Sequence, residues 1–316
     1  MNKPDIFKKI HSVILDYQKW IKIAKLVKVE ENEIGVICPY GIGDTYNACS
    51  LLKYFLKNNN TISLLMVVKP SQREIPSFFF GNNVKVVEME TPGMEFLFFL
   101  KQITKRYSSL KTGKMSIVHP YFFNNADFQK MGKNKLNIYG VYKKMLGIPN
   151  SIVSEVPIIS KNASISSSKL FNELKLKKGH TVLIAPNANS IKEIPIEFWN
   201  ALISQLLSKD IMVVINGGEF HHDHCVNVNM NLSEVIPFVN LAGYFISIRS
   251  GLCDLVLSAK CTKIIIYPDG NSSSGSIYSC YSIKKESRKG QVFEYIYKKT
   301  NDPVVFAGKV LNNIIL

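Results

Sequence analysis

EIGVICPYGIGD occupies residues 33–44. Its first part, IGVIC (34–38), is an unbroken apolar run, which suits a strand covered on both faces. Gly41 and Gly43 then let the backbone turn tightly and approach a ligand, and a helical pattern follows near 45–57. A strand leading through a glycine turn into a helix is the first half of a βαβ unit. It leaves unpaired helix-start N–H groups at the carboxyl end of the strand. Asp44, at the end of the turn, has two readings. It can accept a backbone hydrogen bond as a helix N-cap, or it can take a proton from a substrate hydroxyl.

The same alternation continues outward. Apolar runs at 63–68 (SLLMVV), 84–89 (VKVVEM) and 116–118 (SIV) alternate with helical stretches near 94–106 and 135–146. Residues 160–168, SKNASISSS, carry little apolar content and read as a linker. A second series follows, with strands at 181–185, 211–215, 244–248 and 262–267 and helices near 195–208, 233–240 and 252–260. The polar loop 269–276 and the basic residues Lys284, Lys285, Arg288 and Lys289 precede a final helix or strand. Two parallel α/β halves leave a cleft between them, and ligands of such sheets bind at the carboxyl ends of the strands.

Composition narrows the partners. The chain has 316 residues, with 39 Lys and Arg against 24 Asp and Glu, a net charge of +15. That length and 46% hydrophobic content fill about two cores, which excludes disorder and low-complexity classes. The apolar runs are far shorter than the ~20 residues that span a bilayer, so no transmembrane helix is expected. The N-terminus lacks the continuous apolar stretch of a secretory signal, and a cytoplasmic chain is expected. The six cysteines form no CxxC pair and read as reduced thiols, mainly in cores. Residues 1–28 place apolar side chains on one helical face and seven lysines on the other. Such a helix either packs on the first domain or lies on an anionic membrane surface. Positive charge also admits nucleic acid, but no aromatic platform or binding module accompanies the lysines, so nucleic acid is not an expected partner.

Further candidates lie at strand ends of the second series. Asn187, Ser190 and Lys192 sit in the loop APNANSIKEIP (185–195), where Lys192 is either a solvated lysine or a cation for a phosphate. NGGE (216–219) brings Gly218 and Glu219, an acid suited to sugar hydroxyls. HHDHC (221–225) invites a metal reading, yet five adjacent loop residues cannot all face one ion, and no metal is expected. Arg249, Ser250 and Gly251 open the next helix. Ser250 suits an N-cap, and Arg249 either grips a diphosphate or pairs with an acid.

In this order, GIGD after the first strand, the loop with Lys192 before a helix, GGE, and a Ser-Gly turn before a helix resemble the heptosyltransferase family, glycosyltransferase family 9. The likeness covers residues 33–268. It implies an α/β fold of the GT-B class: two Rossmann-like domains with parallel sheets facing across a cleft. The domains would be 31–165 for the acceptor and 166–300 for the nucleotide-sugar donor, with the basic helix at 1–30 and a segment at 301–316 packing back on the N-terminal domain. The resemblance makes Asp44 the catalytic base. Gly43, Asn187, Ser190, Lys192, Gly218, Glu219, Arg249, Ser250, Gly251 and Asp254 would form the donor site. Arg249 stands where the family has Asp or Asn, and Asp254 where it has His, so ADP-heptose does not follow as the donor.

The implied activity is metal-independent, inverting transfer from a nucleoside-diphosphate sugar, with no cofactor, to a cell-surface glycan such as lipopolysaccharide or capsule, or to a lipid-linked acceptor. Closure of the two halves would exclude water. The enzyme would work in the cytoplasm, peripheral to the inner face of the plasma membrane. The alternatives are a nucleotide-sugar epimerase of similar fold, a catalytically silent relative, and a non-catalytic basic protein binding nucleic acid or anionic surfaces.

Overall fold

The computed structural model describes residues 27–58, 63–100, 110–120, 136–188, 191, 193–218, 220–272, 275–312 and 314, together with 14, 15, 17, 18, 21, 22 and 25. Most of the N-terminal basic segment therefore lies outside the described residues. The seven positions before residue 27 are helical, and the Tyr17 ring meets Phe96 edge-on at 4.9 Å.

The N-terminal domain carries β1 (Glu33–Ile37), α1 (Ile42–Asn58), β2 (Ser63–Val68), α2 (Ile75–Phe80), β3 (Val84–Glu88), α3 (Thr91–Leu100), β4 (Lys114–Ile117) and α4 (Ile138–Met145). Its four strands are all parallel, in the order β3-β2-β1-β4. β1 is buried at every position, its residues 34–37 as their unbroken apolar run requires. The chain leaves β1 toward β2 and β3, then returns to add β4 on the other flank. The order therefore reverses between β1 and β4, and the loops after these two strands open onto one crevice.

The C-terminal domain carries α5 (Lys161–Glu173), β5 (Thr181–Ala185), α6 (Ile196–Leu207), β6 (Met212–Asn216), β7 (Val226–Val228), α7 (Leu232–Ala242), β8 (Gly243–Ile248), α8 (Gly251–Leu255), β9 (Thr262–Pro268), α9 (Ile277–Tyr281), β10 (Val292–Tyr297) and α10 (Pro303–Leu311). Its six parallel strands run β10-β9-β8-β5-β6-β7. Here the reversal falls between β5 and β8. Ser247 ties the carboxyl ends of these strands by donating from Oγ to the Ala185 carbonyl at 2.9 Å.

Two expectations are corrected. Residues 160–168 are not a linker: Ser160 accepts the Ala163 N–H at 3.1 Å and caps α5, which buries Ala163, Ser167 and Phe171 at helical spacing. The Ser167 hydroxyl donates to the carbonyls of Ala163 and Glu234, and Phe171 meets Phe238 edge-on, so α5 packs on α7 within the second domain. A division at residue 165 would cut this helix. Nor do the described residues of the segment 301–316 return to the N-terminal domain. Phe306, Ala307, Val310, Leu311 and Ile314 join Phe198, Trp199, Leu202 and Ile203 of α6 in the core of the C-terminal domain.

All six cysteines are thiols, and only Cys225 is not buried. Among the described residues no helix is long and apolar enough to cross a membrane.

Candidate active site

Asp44 is built from the chain's first turn. α1 begins at Ile42, so Asp44 occupies its third position, and Gly41 is the residue whose carbonyl accepts the first helical hydrogen bond, from Thr45 N–H at 3.1 Å. The Gly41 N–H donates back to Asp44 Oδ2 at 3.1 Å. Asp44 thus supplies the reverse half of a capping box and is not the N-cap itself. The turn is fixed from outside by Gln72, which is 1% exposed. Its amide donates to the Tyr40 carbonyl and accepts from Thr45 Oγ1 at 2.9 Å.

The other carboxylate oxygen faces the end of β4. His119 Nε2 lies 3.3 Å from Asp44 Oδ1, and the Tyr142 hydroxyl lies 3.4 Å from the same atom. The His119 ring rests against Tyr40 at 4.4 Å and meets Tyr142 edge-on at 6.2 Å. Burial alone would push the Asp44 carboxyl up. The charge and hydrogen bond of His119, the Gly41 N–H and the Tyr142 hydroxyl outweigh it and hold the group below its ordinary value. The Asp44 side chain keeps 29% of its surface exposed. It is an ionised acceptor, held from behind and open in front.

One residue back, the two domains touch. A Cβ on Gly43 would lie 2.3 Å from Asp254 Oδ2, and one on Gly251 would lie 2.4 Å from the Gly43 nitrogen. The starts of α1 and α8 therefore meet at a distance only glycine permits. Ser250 holds the N-cap position of α8, and its N–H donates to Cys253 Sγ at 3.4 Å.

The diphosphate grip expected of Arg249 is corrected. Arg249 is 5% exposed, and its fork is taken by Asp254, with Nη1 to Oδ2 at 2.8 Å and Nη2 to Oδ1 at 2.9 Å. Its Nε donates to the Tyr281 carbonyl at 2.8 Å. Asp254 also accepts the hydroxyl of Tyr139, which crosses from α4 of the other domain. The two positions that depart from the resemblance are thus one feature, a buried ion pair at the seam. With its donors turned onto protein oxygens, Arg249 is not presented to a ligand.

On the donor side, Asn187 and Gly218 are brought together: a Cβ on Gly218, where φ is +81°, would lie 1.6 Å from Asn187 Nδ2. Ser190, Lys192 and Glu219 lie outside the described residues. In HHDHC, His222 Nδ1 lies 3.8 Å from Cys225 Sγ, and no three ligating side chains among the described residues converge as a metal site. An open cavity of about 400 Å³ beside the carboxyl ends of β9 and β10 is lined by Asp269, Gly270, Lys298, Lys299 and Thr300, and none of the predicted site residues lines it.

Sequence reasoning did not find His119, Tyr142, Tyr139 or Gln72. Only His119 carried a usable signal, as a histidine directly after the run 116–118 that pairs beside β1.

No family model and no curated protein matches the sequence. The structure does resemble solved ones. The ADP-heptose lipopolysaccharide heptosyltransferase II of Escherichia coli matches with a TM-score of 0.57 at 13% identity, over 89% of this chain and 98% of that one. A family 9 glycosyltransferase of Veillonella parvula matches with a TM-score of 0.55 at 11% identity, over 88% and 95%. The E. coli heptosyltransferase WaaC with ADP matches with a TM-score of 0.51 at 14% identity, over 89% and 97%. At these identities the likeness is one of fold, and the fold is the two-domain GT-B class read from the sequence.

Proposed function

We propose that the protein is an inverting, metal-independent glycosyltransferase in which Asp44 activates the acceptor. The observation that carries this reading is the Asp44 carboxylate itself. It is ionised, partly open to solvent, oriented by three donors, and set one residue from the domain seam. A carboxylate so placed can take the proton of a sugar hydroxyl as that oxygen attacks an anomeric carbon from the side opposite a leaving nucleoside diphosphate. The GT-B fold, shared with solved glycosyltransferases, supports the same reading over the nucleic-acid alternative.

In this scheme Asn187, Ser190, Gly218 and Glu219 frame the nucleotide, and Lys192 meets the charge that develops on the diphosphate. Arg249 and Asp254 support the donor site from behind by fixing the turn at Ser250 and Gly251. The acceptor is a glycan or lipid-linked hydroxyl at an anionic surface, which the +15 charge and the Lys-rich N-terminus attract. The work is placed at the cytoplasmic face of the membrane.

A thermal-shift screen of nucleoside diphosphates and ADP-, GDP- and UDP-sugars tests the donor class, because a ligand of the folded form raises its melting temperature. Asp44→Asn is expected to bind the donor as the wild type does while transfer falls by about 10² or more. Turnover unchanged in that variant would refute the role of Asp44. Lys192→Ala is expected to weaken donor affinity.

A further inference from the structure

The basic stretch 284–289, between α9 and β10, takes no part in the site around Asp44. It carries Lys284, Lys285, Arg288 and Lys289 against one acid, Glu286. That acid is already engaged across the seam, where Lys143 of α4 donates to both its oxygens at 3.3 and 3.5 Å. Lys284, Lys285 and Lys289 are exposed, and they form no ion pair among the described residues.

Arg288 breaks a rule that the other buried cations keep. Buried donors are hydrogen-bonded as a matter of course. Lys263 Nζ donates to the carbonyls of Ala259, Cys261 and Lys289 at 2.7, 3.2 and 2.5 Å, and the Arg249 fork is closed by Asp254. Arg288 Nη2 is buried and has no hydrogen-bond partner, and no other described side-chain nitrogen or oxygen so buried lacks one. The backbone fixes its place, because the Arg288 N–H donates to the Leu257 carbonyl, just beyond α8, at 3.3 Å. Across the seam stands Tyr46 of α1, 3% exposed, whose hydroxyl makes no hydrogen bond among the described residues. Burial and the Asp254 charge push this phenol up and the Arg288 charge opposes them, so the two groups share one neighbourhood and the hydroxyl keeps its proton near pH 7. The nearby carboxylates are committed: Asp254 to Arg249 and Tyr139, Glu286 to Lys143.

We propose that Arg288 and the Tyr46 hydroxyl form a second anion site, at the edge of the seam, which takes a phosphate group. A guanidinium keeps its charge at any ordinary pH and offers paired N–H groups that match two oxygens of one anion. The Tyr46 hydroxyl adds a donor from the opposite domain, so a bound phosphate ties the two domains together. The three exposed lysines of the same stretch attract the more highly charged anion, phosphate over carboxylate. The site is independent of the role given to Asp44. Its phosphate is either inorganic phosphate or the phosphate of a substrate, and the experiment separates these sources.

The test measures the melting point of the full chain against inorganic phosphate at constant ionic strength, and the binding of phosphate, ADP, GDP and UDP by calorimetry. It compares the wild type with Arg288→Met, Arg288→Lys and Tyr46→Phe. The wild type is expected to melt higher in phosphate and not in chloride. Arg288→Met keeps the bulk of the side chain without its charge, and should bind phosphate about tenfold more weakly or worse. In phosphate-free buffer it should melt at or above the wild-type temperature, because a buried charge without a partner has been removed. Arg288→Lys keeps the charge without the fork and should also bind phosphate less tightly, as should Tyr46→Phe; these two decide if Arg288→Met does not fold. Equal weakening of the nucleoside diphosphates in Arg288→Met assigns the phosphate to a substrate, and weakening of inorganic phosphate alone assigns it to the solution; both uphold the site. An Arg288→Met chain that melts several degrees lower in phosphate-free buffer yet binds phosphate as the wild type does would overturn it, leaving the guanidinium a structural group. A wild-type melting point indifferent to phosphate would overturn it too. Neither result bears on Asp44, which is judged by transfer in Asp44→Asn.

Discussion

Arg249 and Asp254 stand five residues apart across the start of α8, and their side chains are only 6% and 2% exposed. Two charges taken out of water are tolerated because the geometry is bidentate and their remaining positions are filled by the Tyr281 carbonyl and the Tyr139 hydroxyl. Removing one partner strands the other. Asp254→Ala is expected to cost about 3–5 kcal/mol of unfolding free energy. Arg249→Ala combined with it should cost clearly less than the two single changes added together, because the double variant buries no lone charge. Urea unfolding of the three variants measures this, and strict additivity would count against the pair. Asp44 gives a prediction in pH. Its carboxyl sits below its ordinary 3.8, so the folded state binds that proton less readily than the unfolded chain. The stability it contributes is fully present above 3.8 and drains away as pH falls through the lower folded value. Asp44→Asn should therefore lie below the wild type in stability at pH 7, and the gap should narrow on acidification. A gap constant with pH would contradict the contacts of Gly41, His119 and Tyr142.

At the scale of elements, α5 shows how local composition misleads. SKNASISSS is five-ninths serine, and serine competes for backbone hydrogen bonds, so the stretch reads as a linker. Ala163, Ser167 and Phe171 nevertheless recur at a four-residue step, and the Ser167 hydroxyl finds two carbonyls that let it be buried. The periodicity was present; what the sequence could not supply was α7, against which the face packs. Ser160→Ala should lower stability by about 1 kcal/mol if its cap holds α5, and by nothing if the segment were a free linker. Thermal melting separates the two. Most of the parallel strands, in contrast, were legible as apolar runs bounded by turn residues, which need no partner to be recognised; β7, the short and largely exposed VNV, carries no such run, and the stretch of β10 reads equally as helix or strand. Asp44 was legible as well, as an acid closing a glycine turn after β1. His119 was not, since its meaning depends on β4 lying beside β1, a pairing that joins positions about eighty residues apart. α1 and α8 meet at their glycines. Gly251→Ala places a methyl 2.4 Å from the Gly43 nitrogen and 3.2 Å from the Ile42 carbonyl carbon, backbone atoms that cannot swing aside. The two helix starts would have to part, at an expected cost of about 1–3 kcal/mol.

Across the whole molecule, the seam behaves as interior. One hydrophobic cluster runs from Val36, Leu52 and Tyr142 in the first domain to Leu183, Phe238 and Leu255 in the second. A polar contact reinforces it: the Ser233 N–H donates to Glu74 Oε2 at 3.0 Å. α4 carries the densest set. Its residues Tyr139, Tyr142 and Lys143 lie on one helical face and reach Asp254, Asp44 and Glu286 in turn, so a single helix holds the proposed base and two points of the opposite domain. Domains sharing a dry core and a buried ion pair should melt together. Lys143 and Glu286 are 6% and 12% exposed and 3.3 Å apart, so Glu286→Ala leaves an uncompensated ammonium in the seam. Its expected cost is about 3 kcal/mol or more, read as a melting point several degrees lower. Lys177 and Asp210 form a closer pair, 2.6 Å, but are 51% and 87% exposed, and Asp210→Asn should leave the melting point almost unmoved. Calorimetry on the two variants and the wild type decides the matter. A single transition that shifts with Glu286 and not with Asp210 follows from a seam that is part of the core. Two transitions in the wild type, or equal shifts in both variants, would mean that the domains are held only at their surfaces.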